Sequence, residues 1–255
     1  MILLRSLLYY LGLSLSVVVF GLTLALFGWM VPWATRHRLA NGWGKVNLWL
    51  LRVVCGLSYR VTGAEHLPTG PSIVMSKHQS AWETIALRGI LRKEQAWVLK
   101  RELTWIPIFG WALLAMKPIA IDRKAGRKAA RQIIEQGLAR IAEGRSVVVF
   151  PEGTRTAPGE RKKYGIGGGM LAERAGVPVI PIAHNAGVFW RRRGVSKLPG
   201  VIDVVVGPAI DPQGKKASQI TRAVEDWIET TQASLPMSPD PAVAGPQRDG
   251  VDNSV

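Results

Sequence analysis

One cysteine, Cys55, stands among 255 residues. A lone thiol excludes an intramolecular disulfide and a cysteine-based metal cluster, and Cys55 reads as a small apolar packing residue. Acidic side chains are also scarce: 18 Asp and Glu face 33 Lys and Arg. Such a surface attracts lipid headgroups, phosphate cofactors, an acidic carrier protein or nucleic acid, and charge alone does not choose among them. No G-x-x-x-x-G-K-[ST] sequence is present, which removes the P-loop. His37, His66 and His184 are scattered without ligand spacing, and no metal is expected. No internal repeat is visible.

The longest absence is of charge itself. Between Arg5 and Arg36 there is no ionisable acid or base of the Asp, Glu, Lys or Arg type. As a helix that stretch would extend roughly 45 Å, against a hydrocarbon thickness of about 30 Å, so a membrane-inserted helix is expected. A cleaved signal peptide fits less well, because the apolar run is too long and no small-x-small site precedes Arg36. Trp29, Trp33, Trp43 and Trp49 cluster where the helix should end, as an interfacial aromatic belt would. Arg36, Arg38, Lys45 and Arg52 follow it, whereas Arg5 alone precedes it. The positive-inside rule then places the remainder on the cytoplasmic side of a bacterial-type inner membrane. Trp43 to Leu57 is apolar but interrupted by Lys45 and Arg52, and is expected as an interfacial helix. Residues 1–57 thus form an anchor.

Beyond residue 57, β-rich runs alternate with helical ones. Strands are expected at Ser58 to Thr62, Ser72 to Ser76, Ala96 to Leu99, Pro118 to Asp122, Ser146 to Phe150, Val179 to His184 and Val201 to Val206. Helices are expected near Ala81 to Leu91, Lys124 to Glu143, Gly168 to Ala175 and Ala217 to Leu235. The fold class is α/β, a mostly buried mixed sheet of about seven strands flanked by helices and preceded by N-terminal membrane helices. The domain spans 58–235, and 236–255, rich in Pro, Ser, Asp and Gly, is expected to be disordered.

Two strings carry chemistry. In HQSAWE, starting at His78, the histidine and Glu83 are five positions apart, which on one helix puts them roughly 140° apart. They meet only if the helix starts between them. Ser80-Ala81-Trp82-Glu83 has the S-x-x-E capping form, with Ser80 as N-cap and Glu83 three residues on. His78 then lies in a loop at a strand end, where Glu83 either accepts one ring proton and frees the other nitrogen as a base, or serves as a cap only. In FPEGTRT, from Phe150, an apolar strand delivers Glu152, Gly153, Thr154 and Arg155. Arg155 there, and Arg123 after the run PIAID, are either anion clamps or solvated surface charges. Gly165 to Gly169 could form a backbone anion nest but is expected as a flexible turn into the next helix, and the clusters Arg161 to Lys163 and Arg191 to Arg193 either face anionic headgroups or the phosphates of coenzyme A or are merely solvated.

In their order along the chain these motifs resemble the membrane-bound 1-acyl-glycerol-3-phosphate acyltransferase family. The likeness runs through four blocks over about residues 58–210: HQSAWE; KRELTWIPIFG from Lys100 through to Ile121-Asp122-Arg123; FPEGTRT; and VPVIPIAHN from Val177. It implies acyl transfer from acyl-coenzyme A or acyl carrier protein, as co-substrate without a cofactor, to the hydroxyl of a lysophospholipid, giving phosphatidic acid. Membrane lipids are then the partners and nucleic acid is not. By the same resemblance His78 deprotonates the hydroxyl and Glu83 orients it. Arg123, Glu152, Gly153, Thr154 and Arg155 form the acceptor-phosphate site, with Lys100 a weaker candidate, and Pro181 is structural or faces the donor. One departure is plain: the family's usual carboxylate is Asp, and the extra methylene of Glu83 moves its oxygens by roughly 1.5 Å. Acylation of another lysolipid, such as lyso-ornithine lipid, is therefore an alternative, and a non-catalytic membrane-tethered basic module is a second.

Overall fold

A computed structural model describes residues 1–91, 93–122 and 125–239. Seven strands form one sheet in the order β1-β7-β6-β2-β5-β3-β4. They are β1 (Leu57–Thr62), β2 (Ile73–Ser76), β3 (Gln95–Lys100), β4 (Ile119–Ile121), β5 (Ser146–Val149), β6 (Val179–His184) and β7 (Gly200–Val206). The run from β6 through β2, β5 and β3 to β4 is parallel, and β7 turns antiparallel to β6. Parallel strands buried on both faces need unbroken apolar runs. IVMS and SVVV supply them, with every residue of β2 and β5 buried.

Alternation along each strand divides the core in two. Val74, Val148 and Ile182 point into one layer with α2 (Trp33–Cys55) and α3 (Trp82–Ile90). Ile73, Met75, Val147 and Val149 point into the other, with α5 (Arg127–Ala142), α6 (Gly167–Ala175) and α8 (Ala217–Ser234). The helix after β2 and the helix after β5 therefore depart to opposite faces of neighbouring parallel strands. That divergence opens a crevice at their C-terminal ends, where α/β sheets collect ligands.

The expected strands and helices are present with ends shifted by a few residues. Short helices α4 (Phe109–Ala115) and α7 (Ala186–Phe189) were not expected, being too brief for a period to show. At the N-terminus α1 (Ile2–Phe27) is long and apolar enough to cross a membrane, and most of its surface is uncovered. The following helix begins at Trp33, directly after Pro32, ten residues earlier than expected, because the charges that break the apolar run do not break the helix. It folds back along α1, where Trp43 Nε1–H donates to Ser16 Oγ at 3.0 Å and Asn47 accepts from that hydroxyl at 3.1 Å. The other end of α1 is fastened to the domain: Tyr9 meets Trp190 edge-on at 5.6 Å, and the buried Lys197 ammonium lies among the rings of Tyr9, Tyr10 and Trp190. Pro236, placed in the expected disordered tail, is held by Asn185 Nδ2–H at 3.0 Å, and residues 240–255 lie outside the described residues.

Gly165 and Ile166 lead into α6, which starts one residue earlier than expected. Gly167, Gly168 and Gly169 begin α6, where a missing Cβ permits close approach to Ile133, Met75 and the Ala217 carbonyl respectively. Gly169→Ala should wedge α6 from α8 at a cost of ~1–3 kcal/mol. Thermal denaturation in detergent should register it as a melting temperature lower by several degrees; an unchanged melting temperature would show that the crossing has slack.

Candidate active site

His78 follows β2 by two residues, and the turn Phe150 to Gly153 follows β5, so the strand pairing alone brings the two motifs side by side. The loops are then laced together. His78 N–H donates to Glu152 Oε2 at 2.7 Å, and Thr156 N–H donates to the His78 carbonyl at 2.8 Å. Gly153, with φ +70°, closes its turn by donating to the Phe150 carbonyl at 3.0 Å. The imidazole stacks on Phe150, ring centres 4.1 Å apart and planes 16° from parallel.

Glu83 is wholly buried and collects the donors of this loop. Its Oε1 accepts from His78 Nδ1 at 2.8 Å, Gln79 N–H at 2.9 Å and Ser80 N–H at 2.8 Å. A carboxylate accepts only, so Nδ1 carries the proton and Nε2 the lone pair. Nε2 makes no hydrogen bond among the described residues, and His78 is 8% exposed, so that nitrogen faces the crevice. Burial would raise the Glu83 carboxyl, but the hydrogen bonds from the His78 ring and the Ser80 amide hold it below the ordinary glutamate value.

The expected capping box is shifted by one position. The helix starts at Trp82 with Ala81 as its N-cap; Ser80 Oγ accepts from Trp82 N–H at 3.2 Å, while Glu83 still reaches back to Ser80 N–H. With the helix starting one residue later than expected, the glutamate turns back over the N-terminus and still reaches the Gln79 and Ser80 amides.

Glu152 stands elsewhere than an acceptor-phosphate ligand should. Its carboxylate is buried and fully engaged, by His78 N–H, by Thr156 Oγ1 at 3.0 Å and by Lys77 Nζ at 2.7 Å. Burial pushes it up, against the opposing effect of Lys77. Lys77, itself buried, pairs with Glu229 of α8 at 2.8 Å, and Tyr164 donates to the same Glu229 oxygen at 2.9 Å. Behind them His184, at the end of β6, donates from Nε2 to the Lys77 carbonyl at 2.9 Å and accepts Ala186 N–H at Nδ1. Burial lowers its pKa and keeps it neutral. Pro181 is buried within β6, and its carbonyl accepts Gly207 N–H at 2.9 Å.

Of the other expected residues, Thr154 and Arg155 are half-buried on the rim of the crevice, and the Arg155 carbonyl accepts from Arg192 Nη1 at 2.8 Å. Lys100 ends β3, two strands from β2, and pairs with Glu102 at 3.1 Å. Arg123 lies outside the described residues. Sequence reasoning passed over Lys77 and Thr156, although both adjoin or lie inside the two strings, and it left His184 unassigned. Glu229 and Tyr164 carry no local signal at all, since only the fold brings them to Lys77.

Lys77→Met should strand two buried carboxylates and cost ~3–5 kcal/mol. Chemical or thermal melts would read this, and Glu229→Gln in the same chain should recover part of the loss. Glu83→Gln carries a pH signature. A carboxyl whose folded pKa is depressed contributes its stability above the unfolded value of about 4.3 and loses it as pH falls through the folded value. The stability gap between wild type and Glu83→Gln should be full at neutral pH and close in acid below about pH 4, and a pH-independent gap would show that the carboxylate's charge contributes nothing.

The Acyltransferase family profile matches residues 58–185. Over 235 residues the chain is 42% identical to the 1-acyl-sn-glycerol-3-phosphate acyltransferase of Pseudomonas aeruginosa, covering 91% of each protein. It is 33% identical over 185 residues to the human 1-acyl-sn-glycerol-3-phosphate acyltransferase alpha, covering 71% of this chain and 65% of that one. The crystal structure of the 1-acyl-sn-glycerophosphate acyltransferase of Thermotoga maritima shares the fold, with a TM-score of 0.75 at 23% identity over 91% of this chain and 95% of that one. With a profile spanning half of its residues and a bacterial relative alike along nearly all of them, the chain belongs to the 1-acyl-sn-glycerol-3-phosphate acyltransferase family.

Proposed function

We propose that this acyltransferase moves a fatty acyl group from a thioester donor, acyl-coenzyme A or acyl carrier protein, to the free hydroxyl of 1-acyl-glycerol-3-phosphate without an acyl-enzyme intermediate. The observation that carries the mechanism is the polarised imidazole: Nδ1–H is tied to Glu83 and Nε2 is left open to the crevice. Nε2 takes the hydroxyl proton as the oxygen attacks the thioester carbonyl. A carbon–oxygen bond forms, the carbon–sulfur bond breaks, and the leaving thiolate recovers the proton from Nε2–H. Glu83 stabilises the transient imidazolium and fixes its orientation. A thioester is already activated, and no cysteine stands near His78 to act as a nucleophile, since Cys55 is buried at the end of α2.

Arg155 is the acceptor-phosphate ligand in this reading, with Gly153 and Thr154 shaping its loop, and the family resemblance adds Arg123 as a second ligand. Lys100 stands at the rim, roughly 10 Å across the sheet from β2 at ordinary strand spacing. Glu152 is a positioning residue rather than a ligand, because its carboxylate holds the His78 amide and would repel phosphate. The membrane supplies the acceptor. α1 enters the lipid, and the basic start of α2 keeps the catalytic domain on the cytoplasmic face of a bacterial inner membrane.

A radiolabelled acyl-transfer assay on membranes, with lysophosphatidate and lyso-ornithine lipid offered side by side, tests the acceptor. Transfer confined to lyso-ornithine lipid would overturn it. His78→Ala should lower the rate by about 10²- to 10⁴-fold, the range of a lost general base. Arg155→Ala should chiefly raise the KM for the acceptor; a defect confined to the acyl donor would move Arg155 to the donor site.

A further inference from the structure

Between β3 and β4 the chain makes a detour that the site does not use: a 3-10 turn at Arg101–Trp105, then α4. Its outward side chains are apolar. Leu103, Trp105, Ile106, Trp111 and Leu114 are exposed, Trp105 to 65% and Trp111 to 51%. Trp111 and Leu114 share one face of α4 at i,i+3 spacing, and Ile106 N–H donates to the Leu103 carbonyl, so the patch is contiguous within its segment. An apolar patch of this kind on a protein surface marks an interaction site.

The segment is held rigidly, and α1 helps to hold it. Ile108, a β-branched residue, sits at φ +64°, a conformation that persists only where the surroundings impose it. Gly110 lies against the Thr104 carbonyl, and a Cβ on Gly21 of α1 would come within 2.9 Å of Ile108 Cγ2. Farther along, Arg36 Nη1 donates to the Ala115 carbonyl at 3.1 Å, and Gly28 packs on Ala115. The patch therefore continues the uncovered apolar face of α1, which ends in Phe27, Trp29 and Met30. Cations border it along the chain: Arg101, half-exposed over the Trp105 ring at 5.9 Å, and exposed Lys117. Aromatic and aliphatic side chains bordered by Lys and Arg, continuous with a membrane-entering helix, match an anionic lipid surface.

We propose that the surface from Leu103 to Leu114 is a second membrane-inserting element, which with α1 seats the catalytic edge of the sheet on an anionic bilayer. Lys100, the last residue of β3, directly precedes the 3-10 turn that carries Leu103 and Trp105. The rim of the site is thus held at the lipid boundary, and the acceptor reaches His78 from the bilayer without crossing bulk water. This last consequence rests on the acyl-transfer reading, whereas insertion of the patch does not.

The test uses the full chain in a Cys55→Ala background, reconstituted in vesicles containing anionic lipid, with a single nitroxide label at Trp105→Cys, Trp111→Cys or, as control, Ser218→Cys on α8. Labels at 105 and 111 should relax readily with oxygen and poorly with a water-soluble nickel chelate, and the label at 218 should do the reverse. Water-like behaviour at 105 and 111 would overturn the proposal, as would shielding from both reagents, which would mean a protein partner or a second copy on the patch. A Trp105→Glu, Ile106→Glu double variant should remain membrane-bound through α1. Its apparent KM for long-chain lysophosphatidate in vesicles should rise about tenfold, with turnover of a short-chain, freely soluble lysophosphatidate unchanged. An equal loss on both substrates, or on neither, would overturn the delivery role while leaving the depth measurement to decide insertion.

Discussion

The arrangement depends on one buried carboxylate that satisfies a whole loop. Glu83 accepts from the His78 ring and from two successive backbone amides, so a single side chain fixes the imidazole's tautomer, its orientation and the path of the chain beneath it. The cost of placing a negative charge in a dry interior is met by these donors, and their number is why the carboxyl stays ionised. Because the ring and both amides share one carboxylate oxygen, the group that orients the ring is itself held by the backbone leading into α3.

Around this centre the domain divides labour between two sets of charges. One set is buried and internal: Lys77 is shared by Glu152 and Glu229, and Glu152 passes the constraint to the His78 amide. The other set, Arg155 with Thr154 on the rim, is half-buried.

Much of this was legible in the sequence, for identifiable reasons. Parallel buried strands announce themselves as short apolar runs, and each run here ends in a motif, so the catalytic edge was readable from IVMS before KHQS and SVVV before FPEGTRT. The pairing of His78 with Glu83 followed from helical geometry and an S-x-x-E signal, although the helix begins one residue later than that signal placed it. What escaped was whatever depends on distant contact. Glu152 reads as a substrate ligand because its string contains an arginine, yet Lys77, seventy-five positions earlier, claims it. Glu229 lies on an ordinary amphipathic helix, and only the packing of α8 against β6 and α6 shows that it faces Lys77. The close contacts of the α6 glycines escaped too, because composition cannot distinguish freedom from close contact.

The tie between Lys77 and Glu229 also sets an order of events during synthesis. Both strings are made well before α8, and α1 has by then been in reach of lipid for most of the chain's growth. Until Glu229 emerges and docks, Lys77 has only Glu152 for a counter-ion, and the floor of the base is unfinished. The nascent protein is therefore in reach of the membrane before its site is complete, and α8, the last of the described helices, is the one that closes it.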